Sequence, residues 1–174
     1  MITYRLATTD DAPAIDAIFR QSFTETFGHL YAPEDLAAFF GGFSEAGWRA
    51  ELADPRFAFR LAEEEGRAAG YLKLGPTSLP HVAPGPAIEL RQFYLLAPWQ
   101  GRGVAGALMD WALAEARARG AEAMYLSVFI DNHRARRFYE RYGFAYVGPY
   151  AFMVGNHPDE DQVLRLSLKE KNDH

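Results

Sequence analysis

Apolar residues change period along the chain, and the changes mark its elements. Thr3 to Leu6 is a short β-prone run. Asp10 and Asp11 then offer helix caps, Pro13 falls in a first turn, and Ile15, Ile18, Phe19 and Phe23 recur at helical spacing. A second helix starts at Pro33, Glu34 and Asp35; its stripe is Leu36, Phe39, Phe40 and Phe43, weakened near the end by Gly41 and Gly42. A short third helix fits Ser44 to Leu52. From Phe57 the period becomes that of strands: Phe57 to Ala62 and Ala69 to Leu74, about a turn at Glu63 to Gly66, predict a hairpin. Gly75 to Pro86 holds four prolines and two glycines in twelve residues, which predicts a loop.

The second half alternates more regularly. Strand Ile88 to Leu96 precedes helix Gly101 to Arg119, and strand Met124 to Ile130 precedes helix Arg134 to Tyr142, each helix stopped by a glycine. Two successive strand-helix units predict neighbouring parallel strands with right-handed crossovers. Tyr146 to Val154 and Val163 to Leu168 read as closing strands separated by a turn-rich Gly155 to Asp161, whose acidic run Asp159-Glu160-Asp161 reads as a solvated turn. The expectation is an α/β fold of mixed sheet with helices on both faces. With 174 residues, 49% hydrophobic and 24% charged, one self-folding domain over 1–174 is expected.

Charge and composition narrow the chemistry. Lysine and arginine number 18 and aspartate and glutamate 23, so the net charge of −5 argues against a nucleic-acid partner needing many phosphate contacts. The absence of cysteine removes disulfides, thiolate metal sites and a cysteine nucleophile. His29, His81, His133, His157 and His174 form no metal-ligand spacing, and no G-x-S-x-G turn is present, so no metal and no serine nucleophile are expected. His29 and His81 sit in loops that could border a substrate. The first residues, MITYRLATTDDAP, lack a signal peptide's basic start and apolar run, and no stretch approaches the ~20 apolar residues of a membrane span. A cytoplasmic chain with no membrane partner is the expectation.

The informative segment is Gln100-Gly101-Arg102-Gly103-Val104-Ala105-Gly106, between a strand and a helix with the stripe Val104, Leu108, Trp111 and Ala112. A helix start offers unpaired N–H groups and a positive dipole end, and small residues let an anion approach, so a pyrophosphate cradle is expected. The glycines could also serve only a tight turn. Gly101, Gly103 and Gly106 satisfy G-x-G-x-x-G, but Ala97 to Gln100 intervene after the strand, and the 68 residues beyond Gly106 are too few for a dinucleotide sheet. A Walker A loop fails for want of a Lys-Ser or Lys-Thr pair.

Phe93 to Ala105, with Gln100, Gly103 and Ala105 as its core, resembles the acetyl-CoA-binding motif of the GCN5-related N-acetyltransferases, the GNAT family. Asn132, Ala135, Phe138-Tyr139 and Tyr142-Gly143-Phe144 resemble that family's second motif, in the expected order. The resemblance spans about Glu89 to Phe144, and Pro98 falls one position later than often seen. It implies a mostly antiparallel twisted sheet of about seven strands, with one parallel pair splayed to admit a pantetheine arm. It further implies acetyl-CoA as cosubstrate, bound by backbone near Phe93, Tyr94 and Leu95, by the turn Gln100, Gly101, Arg102, Gly103, Val104, Ala105 and Gly106, and by Asn132, Ala135 and Phe138. Arg102 adds charge near a phosphate on this reading, or is simply solvated.

Direct acetyl transfer needs a neutral amine, and deprotonating an alkylamine of pKa near 10.4 at pH 7 costs about 4 to 5 kcal/mol. On a regular strand Glu89, Arg91, Phe93 and Leu95 share one face, which makes Glu89 a candidate base; a salt-bridged surface glutamate is the alternative. Tyr139 takes the family's tyrosine position, implying a proton donor to the thiolate. Glu25, Phe27 and Tyr31, with Glu34 and Asp35, are loosely similar to the first helices of bacterial spermidine/spermine acetyltransferases, and acid beside aromatic suits a polycation. A small primary amine such as a polyamine is the expected acceptor. A protein N-terminus or lysine, or a non-catalytic acyl-CoA sensor, are the alternatives, and a homodimer is a further expectation.

Overall fold

The strand and helix signals resolve, in the computed structural model, into seven strands and five α-helices over the described residues 1–169; His174 lies outside them. In chain order they are β1 (Ile2–Leu6), α1 (Ala12–Phe27), α2 (Pro33–Gly41), α3 (Glu45–Ala53), β2 (Ala58–Glu64), β3 (Arg67–Gly75), β4 (Ala87–Leu95), α4 (Val104–Ala118), β5 (Ala123–Phe129), α5 (His133–Tyr142), β6 (Ala145–Val154) and β7 (His157–Ser167). The sheet order is β1-β2-β3-β4-β5-β7-β6; every neighbouring pair is antiparallel except β4 and β5, which are parallel. This is the mixed, mostly antiparallel sheet expected from the motifs.

Cross-strand partners share a face, so the register sorts the core. Phe59, Leu61, Tyr71, Lys73, Gln92 and Tyr94 face α1 and α3, whereas Arg60, Leu72, Leu74, Leu90 and Phe93 face α4 and α5. The predicted stripe of α1 is buried at Ile15, Ile18, Phe19 and Phe23. Phe19 is the hub: its ring meets Phe23, Phe39, Phe40, Phe43, Trp48 and Tyr94 at centroid distances of 4.4 to 6.0 Å. Ser44 caps α3, its hydroxyl accepting from the Gly47 N–H at 3.1 Å. Lys73 is buried among Trp48, Phe57 and Phe59 and donates to Glu51 at 2.8 Å. Among the described residues no helix is long and apolar enough to cross a membrane.

Three expectations change. The hairpin turn is only Glu65-Gly66, since pairing continues to Glu64 and Arg67 across a bulge at Ala62/Glu63. The second strand-helix unit does not create a second parallel pair, because β7 inserts between β5 and β6 and pairs antiparallel with both. Most consequential, the stretch from Gly155 to Asp161 is not a turn. Gly155-Asn156 suffices for the hairpin, β7 begins at His157, and Asp159 and Asp161 lie buried inside it at 6% exposure each.

Candidate active site

The parallel pair is where the sheet opens. β4 and β5 pair only at Ala87–Ala123, Ile88–Met124 and Glu89–Tyr125, after which β5 stays with β7 and β4 stays with β3. Between the diverging ends is a cavity of about 570 Å³, walled by Leu90 to Leu95 on one side and Leu126 to Phe129 on the other. Gly101, Gly103, Ala105 and Gly106 line it where α4 begins, and α5 lines it with Asn132, Ala135, Phe138 and Tyr139.

The glycine turn has the geometry of an anion cradle. Gly101 (φ +76°) and Gly103 (φ +80°) occupy the left-handed region that side chains disfavour, so the turn requires glycine there. A β-carbon at either would meet nothing within 4 Å, so the space over the turn is open. The Gly103 carbonyl accepts from the Ala107 N–H at 3.2 Å, which starts the helix at Val104 rather than at Gly101 and leaves the amides of Val104, Ala105 and Gly106 without intrahelical acceptors. Gln100 braces the entrance: its Nε2 donates to the Leu95 carbonyl at 3.0 Å and its Oε1 accepts from Arg134 at 2.8 Å. Val104 is fully buried beneath the turn. Arg102 is turned elsewhere. It forks onto Glu64 at 2.8 and 3.1 Å and does not line the cavity; with the Trp99 N–H on the same carboxylate, this holds Glu64 down at about 2.

On the opposite wall Asn132 caps α5, its Oδ1 accepting from the Ala135 N–H at 3.3 Å. Phe138 meets Phe93 edge-on at 6.0 Å, and Tyr139 packs against Phe138 and Phe144. Burial raises the Tyr139 pKa, keeping its hydroxyl protonated at neutral pH. Tyr94 is raised likewise, first by burial and then by Tyr139 and Asp161, so these groups share one electrostatic neighbourhood.

The end walled by β5, β6 and β7 is acidic and aromatic. Phe27, Tyr31, Phe129, Phe152, Asp159 and Asp161 line it. The Tyr31 hydroxyl donates to Asp159 Oδ2, and Asp161 is pushed up to about 7 by burial and by Asp159, opposed by Ser127.

Residues 13–144 match the acetyltransferase (GNAT) family. The chain belongs to that family. It is 35% identical over 159 residues to an uncharacterized N-acetyltransferase of Mycobacterium tuberculosis, covering 91% of this chain and 98% of the relative. It is 32% identical over 140 residues to the aminoalkylphosphonate N-acetyltransferase of Salmonella typhimurium, covering 80% and 82%. The fold matches the PaiA N-acetyltransferase of Thermoplasma acidophilum, crystallised in complex with coenzyme A, with a TM-score of 0.77 at 17% identity over 96% of this chain and 99% of that one. The chain is an N-acetyltransferase by class.

Within this acetyltransferase, the residues singled out from sequence divide by position. Phe93, Tyr94, Leu95, Gln100, Gly101, Gly103, Ala105, Gly106, Asn132, Ala135, Phe138, Tyr139, Phe27 and Tyr31 border the cavity, while Arg102, Val104, Glu25 and Glu89 do not. Glu89 is displaced by a bulge. Lys73 pairs with Gln92 but Leu74 with Leu90, so Arg91 is the extra residue and the face alternation resets there. Glu89 therefore shares a face with Gln92 and Tyr94, opposite Phe93 and Leu95, and the common face expected for it does not form. Its carboxylate accepts from the Ser78 N–H at 2.8 Å and the Ser78 hydroxyl at 3.1 Å. Glu25 is exposed and accepts from Gln21, and Asp35 accepts from the Asn156 N–H at the hairpin turn. Of the loop histidines, His29 is exposed and His81 is bonded to the Pro149 carbonyl. Cavity residues that the sequence reading missed include Arg134, Arg141, Phe129, Phe152, Asp159 and Asp161.

Proposed function

We propose that this acetyltransferase moves acetyl from acetyl-CoA directly to the primary amine of a small molecule. The observation that carries the reading is one continuous cavity joining an open glycine cradle, a split parallel strand pair and a half-buried, protonated tyrosine. The chain fits a diphosphate: the space over Gly101 and Gly103 is open, and the first-turn amides of α4 lack intrahelical acceptors. Those amides would hold the diphosphate, with Arg134 close by on Gln100 and Arg141 on the Phe138 ring as nearby cations. The split between β4 and β5 leaves Phe93 to Leu95 and Asn132 to meet the pantetheine arm. When bound, the thioester supplies an activated acetyl group.

Tyr139 then serves as a proton relay. A thiolate whose thiol has a pKa of about 8.5 leaves more readily if protonated as it departs. With its own pKa raised, Tyr139 is a poor net acid, so it passes a proton to sulfur and recovers one that leaves the amine nitrogen. The small-molecule acceptor is supported by the aminoalkylphosphonate-named relative and by the acidic and aromatic lining at the far end of the cavity.

Calorimetry with acetyl-CoA, combined with thiol release over a panel of small amines and peptides, tests the reading. Coenzyme binding with thiol release for a small amine is expected. Release with peptides alone would overturn the small-molecule acceptor, and absence of coenzyme binding would overturn the whole assignment.

A further inference from the structure

The hairpin of β6 and β7 sets two carboxylates into the cavity wall. Asp159 and Asp161 stand two residues apart on one face of β7, opposite Phe152 and Tyr150 in register, each only 6% exposed. Asp159 is engaged: Oδ2 accepts from the Tyr31 hydroxyl, and His157 Nε2 lies 3.4 Å from Oδ1. Asp161 is different. Its Oδ1 is buried and has no hydrogen-bond partner among the described residues, although the residue lines the cavity. A buried carboxylate oxygen without a donor is costly, and the cost is relieved when a ligand brings the donor. None of the cavity's arginines is bonded to Asp161: Arg134 donates to Gln100, Arg91 donates to the Pro76 carbonyl at 2.6 Å, and Arg141 lies over Phe138.

Resting on the reading of acetyl transfer to a small amine, we propose that Asp161 binds the acceptor's ammonium and takes its proton, with Asp159 and Tyr31 as positioning residues. The acceptor is a singly charged primary amine on an apolar body, an aralkylamine or short alkylamine. One unpartnered buried oxygen matches one ammonium. Phe27, Phe129 and Phe152 match a hydrocarbon body. The second ammonium of a polyamine would meet those rings instead of a free carboxylate, and the acidic groups expected to hold it, Glu25, Glu34 and Asp35, lie outside the cavity. An anionic tail such as a phosphonate would face both aspartates.

The proton count closes. Asp161 takes one proton from the ammonium and later releases it to solvent. The freed nitrogen lone pair forms the C–N bond to the thioester carbon as the C–S bond breaks. Tyr139 protonates the departing sulfur and regains a proton from the acylated nitrogen, leaving amide and free thiol.

The test begins with the wild-type chain and acetyl-CoA, following thiol release with 2-phenylethylamine, n-butylamine, spermidine, 2-aminoethylphosphonate and a peptide with a free N-terminus. Either of the first two is expected to show kcat/KM at least tenfold above the rest; preference for any of the last three overturns the proposal. Coenzyme binding without release from any of the five also overturns it while sparing the coenzyme reading, whereas no coenzyme binding fells both. Asp161→Asn is expected to lower kcat/KM for the best amine at least a hundredfold with acetyl-CoA affinity within twofold, and unchanged kcat/KM refutes it. Tyr31→Phe is expected to raise the amine KM at least threefold while kcat stays within twofold; an unchanged KM removes the positioning role. The wild-type panel decides the acceptor class even if a variant fails to fold.

Discussion

Replacing Asp161 by asparagine tests the buried acid by a route independent of catalysis. Burial and the neighbouring Asp159 lift the Asp161 carboxyl from 3.8 to about 7, against a lowering contact from Ser127. Between those two values the folded chain keeps a proton that the unfolded chain has released, so stability falls as pH rises through the window and levels off above it. At 1.36 kcal/mol per unit the full loss is about 4 kcal/mol, of which about 3 accrues between pH 5 and pH 8. Asparagine has no proton to lose there. The variant therefore gains on the wild type by about 3 kcal/mol between pH 5 and pH 8, whatever constant offset the substitution brings. For a chain of this size, 1 kcal/mol moves Tm by about 2 to 4 °C, so the difference in Tm between variant and wild type changes by about 6 to 12 °C. Paired thermal melts of the ligand-free proteins at the two pH values measure it, and the titrations of groups that do not interact with Asp161 cancel in the difference. A Tm offset that stays constant within about 2 °C would refute the buried, raised carboxyl.

Tyr139→Phe keeps the ring packing and removes the relay; turnover in a thiol-release assay is expected to drop at least tenfold while calorimetric acetyl-CoA affinity holds, and unchanged turnover removes the role. Arg102→Ala is expected to change acetyl-CoA affinity less than threefold because the guanidinium is bound to Glu64 outside the cavity; a loss above tenfold means that it leaves Glu64 for a phosphate. Phe19→Ala empties the centre of the aromatic cluster, where the ring is wholly buried, and is expected to cost about 3 to 5 kcal/mol in denaturant titration.

The half of the cavity proposed for the coenzyme was legible because it is local. Gln100 to Gly106 lie on one turn, and Asn132 to Phe144 on one cap and helix, so each group's position follows from neighbours within a few residues. The helical stripes were legible for the same reason: Ile15, Ile18, Phe19 and Phe23 are in phase and buried. Glu25 illustrates the limit of that phase: it is exposed and lies outside the cavity, whereas Ser22 and Thr26, four residues apart on α1, line it.

The half proposed for the acceptor is lined by Phe27, Tyr31, Phe129, Phe152 and the β7 aspartates, which only the closed sheet brings together. Two signals concealed it. The bulge at Arg91 cannot be seen in a period-two reading, and it carries Glu89 off the expected face. The run Asp159-Glu160-Asp161 looks like a solvated turn because charged residues are poor strand formers. Its alternation nevertheless continues the strand: Asp159, Asp161 and Val163 are buried while Pro158 and Glu160 are exposed. Carboxylates occupying positions where the pleat calls for apolar side chains are costly to fold, a cost that binding a cation there can offset. A break in the hydrophobic pattern that the backbone does not follow is thus itself a pointer to the acceptor, and in this chain it falls on Asp161.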